Sequence, residues 1–66
     1  MSKSVSNLVF SFRTKRGVTQ EEVAMEVGVT RQTVIALEKG SYTPSVSLAL
    51  RLARFFGVHV EDLFTL

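Results

Sequence analysis

The stretch from Gln20 to Lys39, QEEVAMEVGVTRQTVIALEK, constrains the fold more than any other part of this chain. Small, apolar and polar residues fall there where two short helices, crossing steeply through a turn of about three residues, require them. The crossing needs a small residue where the backbones approach, which Ala24 provides, and a turn residue without a Cβ, which is Gly28. Val23 and Val27 give the first helix an inward side, and Val34 with Leu37 does the same for the second. The second helix must then turn a polar face outward.

The rest of the chain divides at its four glycines, Gly17, Gly28, Gly40 and Gly57, each placed where a helix stops. Ahead of Gly17, Val5, Leu8, Val9 and Phe12 recur at helical spacing, and Lys15 and Arg16 complement a helix C-terminus, so a first helix is expected over about 5–15. Thr19 and Glu22 form a capping box that starts a second helix over 20–27. Thr30 is suited to cap a third over 31–39. After the loop from Ser41 to Pro44, either Thr43 or Ser45 can cap a fourth helix over about 45–56, whose apolar residues are Val46, Ala49, Leu50, Leu52, Ala53 and Phe56. A short fifth helix over 60–64 has Leu63 as its anchor. No segment alternates with period two for long enough to make a convincing strand, Val58 to Val60 being a short candidate, so the expected fold class is all-α.

Composition narrows the function classes. A chain of 66 residues is expected to make one domain over 1–66 and to bury only about 60% of the surface its unfolded form exposes. Without cysteine it has neither disulfides nor a thiolate metal site, and its core must come from helix packing. A lone histidine, His59, with no ligand types near it is not a metal site, and no cofactor pattern is present. No carboxylate pair lies outside helix ends, so an enzyme is not expected and no catalytic residue is assigned. The apolar runs fall far short of the roughly 20 residues that span a bilayer, and no signal peptide is recognisable, so a cytoplasmic protein with no membrane partner is expected. A net charge of +2 and a pI of about 9.5 are compatible with a polyanion partner without requiring one.

From about Asn7 to Phe64 the chain resembles the Cro/repressor-type, or Xre, helix-turn-helix family. The resemblance rests on Phe12-Arg13 ahead of Gly17; on Thr19-Gln20-Glu21-Glu22 leading to Ala24; on Gly28-Val29-Thr30-Arg31-Gln32-Thr33-Val34 leading to Leu37-Glu38-Lys39-Gly40; and on Pro44-Ser45 with Gly57-Val58 and Glu61-Asp62-Leu63-Phe64. Each piece is weak and the combination is specific. It implies a compact five-helix, lambda-repressor-like DNA-binding domain in which helices 2 and 3 form the helix-turn-helix. It also implies an ion pair between Arg13 and Glu38, fixing the angle of helix 3. His59 departs from the family, which often has Ser or Thr there, and implies a weaker cap for helix 5.

The implied function is sequence-specific binding of double-stranded DNA by a transcriptional regulator, in the first instance a repressor. In this motif the N-terminal part of the second helix enters the major groove, which makes Arg31 and Gln32 the leading base contacts. Arg31 matches guanine O6 and N7, and Gln32 matches adenine N6 and N7. With about 100° between successive residues, Gln32, Ile35, Ala36 and Lys39 lie opposite Val34 and Leu37. Ile35, Ala36 and the methyl of Thr33 can pack on thymine methyls, although an exposed or rim position for Ile35 is an equal reading. Phosphate contacts are expected from Gln20 at the start of helix 2, and from Lys39, Ser41, Tyr42 and Thr43 after helix 3. Thr30 can contact phosphate or simply cap its helix, and Tyr42 can contact phosphate or pack on Pro44.

Family members usually pair on a two-fold operator, so a homodimer is implied. Leu8, Phe10, Leu48 and Phe55 fall where the family often has polar or small residues, and the expected interface uses Phe64, Leu66 and Phe55 with parts of helices 4 and 5. The rival reading is a protein-interaction module, such as an antitoxin or a regulator's partner, that uses the same fold on protein. Retention of Gln20, Arg31, Gln32 and Lys39 on one side argues for DNA.

Overall fold

The structure, a computed structural model, describes residues 6–66. Five helices follow in chain order: α1 (Val9–Arg16), α2 (Gln20–Val27), α3 (Arg31–Lys39), α4 (Val46–Phe56) and α5 (Val60–Leu63). Two short strands flank them, β1 (Ser6–Asn7) and β2 (Phe64–Thr65), paired antiparallel with Ser6 opposite Thr65 and Asn7 opposite Phe64.

Local chemistry starts the helices. The Thr19 hydroxyl accepts from the Glu22 N–H at 3.0 Å while the Glu22 carboxylate accepts from the Thr19 N–H at 2.7 Å, so two of the free donors of α2 are satisfied reciprocally. Thr30 accepts from the Thr33 N–H at 3.3 Å, and Ser45, rather than Thr43, caps α4 by accepting from the Leu48 N–H at 3.1 Å. Ser45 is therefore the cap of α4 and not its first residue. Ahead of α5 the His59 side chain makes no capping bond, and Asp62 supplies the bond instead by accepting from the His59 N–H at 3.0 Å.

The start of α1 differs from the apolar spacing, which predicts a helix from about residue 5. The Asn7 carboxamide oxygen accepts from the Val9 N–H at 3.0 Å, and the Leu8 N–H donates to the Leu63 carbonyl at 2.9 Å. With β1 also paired to β2, the Leu8 N–H and the strand before it are held outside the helix, only the Leu8 carbonyl joining it by accepting from the Phe12 N–H, and an extended segment replaces its expected first turn. Val5 lies outside the described residues. The same pairing shortens the fifth helix, moving Phe64 into β2, and adds a small sheet to an otherwise helical fold. Val58 to Val60 forms no strand, because the Val58 N–H closes the end of α4 on the Ala53 carbonyl at 3.0 Å and Val60 opens α5.

The core is one cluster of Val9, Val23, Ala24, Val27, Val34, Leu37, Leu48, Leu52 and Leu63, drawn from all five helices. Leu48 is therefore core rather than spare interface surface. Val46 and Leu50, expected on the apolar side of the fourth helix, are exposed instead. Phe12, Phe55, Phe56 and Phe64 pack against the cluster from its edge. Among the described residues, no helix is long and apolar enough to cross a membrane.

Two arginines lock the periphery. Arg51 on α4 donates from Nη1 to the Val27 carbonyl at 2.6 Å, satisfying an acceptor at the end of α2. Arg16 donates to the Phe55 carbonyl and lies 4.7 Å from the centre of the Phe55 ring, tying α1 to α4 by hydrogen bond and cation–π contact.

Candidate nucleic-acid interface

The turn between α2 and α3 positions the start of α3. Gly28 adopts φ +76°, a left-handed conformation costly for residues with a Cβ, and the Val29 N–H returns to the Ala24 carbonyl at 3.0 Å. Buried Ala24 lets α2 and α3 approach, and these two helices share the most extensive contact of any element pair. Val34 and Leu37 are buried on the inner side of α3.

One carboxylate then joins three helices. Glu38 accepts from Arg13 Nε at 2.5 Å on one oxygen and from Arg13 Nη2 at 3.1 Å on the other, a two-point contact between α1 and α3. Arg13 also donates from Nη1 to the Val18 carbonyl at 3.0 Å. The two side chains are 13% and 6% exposed, so the pair is largely withdrawn from water. Gln20 on α2 adds a third donor, its Nε2 lying 3.0 Å from Glu38 Oε1.

Around this junction the proposed contact residues fall into two groups. Arg31 and Gln32 are exposed at the start of α3, while Thr33, Ile35 and Ala36 are half-buried along it. Lys39, Ser41, Tyr42 and Thr43 are exposed after it, and Thr30 and half-buried Gln20 lie near the two helix starts. A shallow groove of about 570 Å³ is lined by Arg13, Gly17, Val18, Thr19, Gln20, Glu21 and Arg31. The structure thus brings Gln20 and Arg31 into one depression. Among the described residues Arg31 has no carboxylate partner, so its charge is available to an anion there.

Several polar groups expected to be available are already engaged. The Gln20 amide nitrogen serves Glu38, the Ser41 hydroxyl donates to the Ala36 carbonyl at 3.2 Å, and the Thr30 and Thr33 hydroxyls lie 3.2 Å apart. A hydroxyl or amide so placed still has bonding capacity, but its orientation is set from inside the protein. Of the expected interface residues, Phe55 makes an edge-on contact with Phe56 at 5.0 Å, Phe64 is half-buried, and only Leu66, 84% exposed, stands clear of the core.

Sequence reasoning missed Asn7. Its Nδ2 donates to the Leu37 carbonyl at 2.9 Å, so the residue whose side chain accepts from the first N–H of α1 also holds the end of α3. The usable signal was its residue type, since Asn favours helix starts, but the apolar spacing placed it inside a helix.

A helix-turn-helix family matches residues 10–63. The chain is 58% identical over 60 residues to an uncharacterized HTH-type transcriptional regulator of Methanothermobacter thermautotrophicus, covering 89% of this chain and 87% of that protein. It is 38% identical over 58 residues to the cryptic phage CTXphi transcriptional repressor RstR of Vibrio cholerae, covering 88% of this chain and 52% of the repressor. Its fold is similar to the restriction-modification controller protein C.AhdI from Aeromonas hydrophila, with a TM-score of 0.76, 28% identity and 82% of each chain covered. With the two crossed helices, the Gly28 turn and the Arg13–Glu38 junction in place, this chain belongs to the Xre-type helix-turn-helix family of transcriptional regulators.

Proposed function

We propose that this regulator binds a specific double-stranded DNA sequence as a homodimer, with α3 in the major groove of each half-site, and acts as a repressor. The observation that carries this reading is the exposure of Arg31 and Gln32 at the start of an α3 whose inner face and far end are both held by the protein. Side chains projecting from a fixed helix meet base edges in a defined register, and an exposed guanidinium without a carboxylate partner is suited to guanine O6 and N7. Thr33, Ile35 and Ala36 line the next turn, and Gln20, Thr30, Lys39, Ser41, Tyr42 and Thr43 flank the helix for phosphate contacts. Similarity to a phage transcriptional repressor supports repression.

Pairing is supported by apolar surface at one end of the fold. Leu66 is 84% exposed beyond β2, and half-exposed Leu8 is joined by its N–H to the Leu63 carbonyl at the base of the same strand. Phe64, Leu66 and Phe55 form the proposed dimer contact, and no cofactor is required.

Selection of bound duplexes from a random DNA pool tests the reading, with the salt dependence of affinity measured on the selected duplex. Enrichment of a two-fold sequence with half-sites about 34 Å apart and a steep salt slope is the expected result. A shallow slope with no enriched sequence rejects it in favour of a protein-interaction module.

A further inference from the structure

The carboxylate of Glu38 serves more groups than an ion pair needs. It is 6% exposed and receives two donors from Arg13 and one from Gln20, so a single buried group sets side chains on both other helices of the groove. Arg13 lines that groove, but three of its five N–H donors serve Glu38 or the Val18 carbonyl and its charge is already matched by the Glu38 carboxylate. Gln20 differs. A carboxylate only accepts, so it must face the nitrogen end of the Gln20 amide, which leaves the second Nε2 proton and the amide oxygen uncommitted. Nearby, the capping box occupies the N–H groups of Thr19 and Glu22, whereas those of Gln20 and Glu21 have no acceptor among the described residues.

Resting on the DNA reading of this face, we propose that Glu38 is a positioning residue for a phosphate contact made by Gln20. By holding one Nε2 proton, Glu38 fixes the amide against flipping and presents the other proton to a backbone phosphate at the groove. Without it, the amide samples orientations in which its oxygen meets the anion. Glu38 itself never touches DNA, and its effect passes wholly through Gln20 and Arg13. Glu21 lines the same groove and would repel a phosphate, so a fixed donor matters more here than in a purely cationic site.

The test uses the duplex recovered from the random pool, with affinities measured for the full chain and for Gln20→Ala, Glu38→Leu and the double variant. Gln20→Ala is expected to bind about tenfold more weakly on every base sequence tried, the loss typical of one hydrogen bond to a charged group. A leucine at 38 offers Gln20 no hydrogen-bond partner at all, so the double variant should bind no more weakly than Glu38→Leu alone. Replacing one backbone phosphate by a neutral methylphosphonate should abolish the Gln20→Ala loss at that position only. Additive losses, or a Gln20→Ala loss indifferent to every neutral linkage, overturn the positioning role while leaving DNA binding intact. Failure of the unmodified chain to bind any duplex overturns both.

A second measurement needs no variant, which keeps the inference testable if Glu38→Leu does not fold. NMR of the unmodified chain should show one Gln20 side-chain amide proton exchanging slowly, with the second becoming protected when the duplex is added. In the free chain the exposed Gln32 amide is the internal reference. Gln20 protons that exchange as fast as those of Gln32 overturn the proposal.

Discussion

Asn7 donates from Nδ2 to the carbonyl of Leu37 at 2.9 Å, joining β1 to the last turn of α3. Because its oxygen simultaneously accepts from the Val9 N–H, one amide satisfies a free donor of α1 and gives a second donor to the Leu37 carbonyl, which also accepts from the Gly40 N–H at 3.0 Å. The tilt of the helix that presents Arg31 and Gln32 is thus held at its far end by Asn7 and Glu38 together.

Asn7→Ala should lower folding stability by about 1–3 kcal/mol, since it leaves the Val9 N–H unpaired and removes the tie to the Leu37 carbonyl. Urea denaturation checks this through the midpoint, with an unchanged slope. A midpoint equal to that of the parent would show that water replaces both bonds.

Arg13→Ala should be more damaging, by about 3–5 kcal/mol, because it strands a nearly buried carboxylate. That is a large share of the stability of so small a domain, so circular dichroism at 25 °C should report substantial unfolding. Arg13→Lys should fall between the two, as an ammonium cannot bind both carboxylate oxygens in a planar fork.

The Gly28 turn offers a differential test against Gly17. Both have positive φ, but a Cβ at Gly28 would lie 3.0 Å from Arg51 Nη1, whereas one at Gly17 meets nothing within 4 Å. Gly17→Ala should cost about 1–2 kcal/mol for the left-handed backbone alone. Gly28→Ala should cost more, and thermal melts of the two variants measure the difference. Equal losses would mean that Arg51 gives way freely.

On DNA, Arg31→Ala is expected to lose about 1–3 kcal/mol on the preferred duplex and to relax base preference at one position. Lys39→Ala should weaken all duplexes alike and reduce the salt slope by about 1. Titration over a randomised set of sites distinguishes them, and an unchanged preference in Arg31→Ala would remove its base-reading role.

The proposed dimer contact can be probed at Leu66 without disturbing the core, since that side chain is 84% exposed. Leu66→Glu should shift sedimentation at micromolar concentration toward the monomer while leaving the melting of dilute protein unchanged. A strictly monomeric parent chain would end the proposal.

How much of this was legible beforehand depends on the range of the interaction involved. The α2–turn–α3 unit could be read from residues close in sequence, because Ala24, Gly28, Thr19 and Thr30 act on neighbours within a turn or two. Helical periodicity marked Val23, Val34, Leu37 and Leu52 as inward, and they are buried. The same periodicity misplaced the start of α1. Its local preference was outweighed by Ser6–Asn7 pairing with Phe64–Thr65, a contact between opposite ends of the chain that no window of sequence contains.

The candidate interface divides in the same way. Residue type and helical angle sufficed to nominate Arg31 and Gln32, because they depend only on where α3 begins and which side it buries. That Gln20 shares a carboxylate with Arg13, that Ser41 is turned onto Ala36, and that Phe55 lies against Arg16 and Phe56 followed only from packing. Hydrogen bonds and ring contacts between separate helices depend on distances that arise once the core has closed, so tertiary structure alone selected among the partners that each of these side chains was chemically able to take.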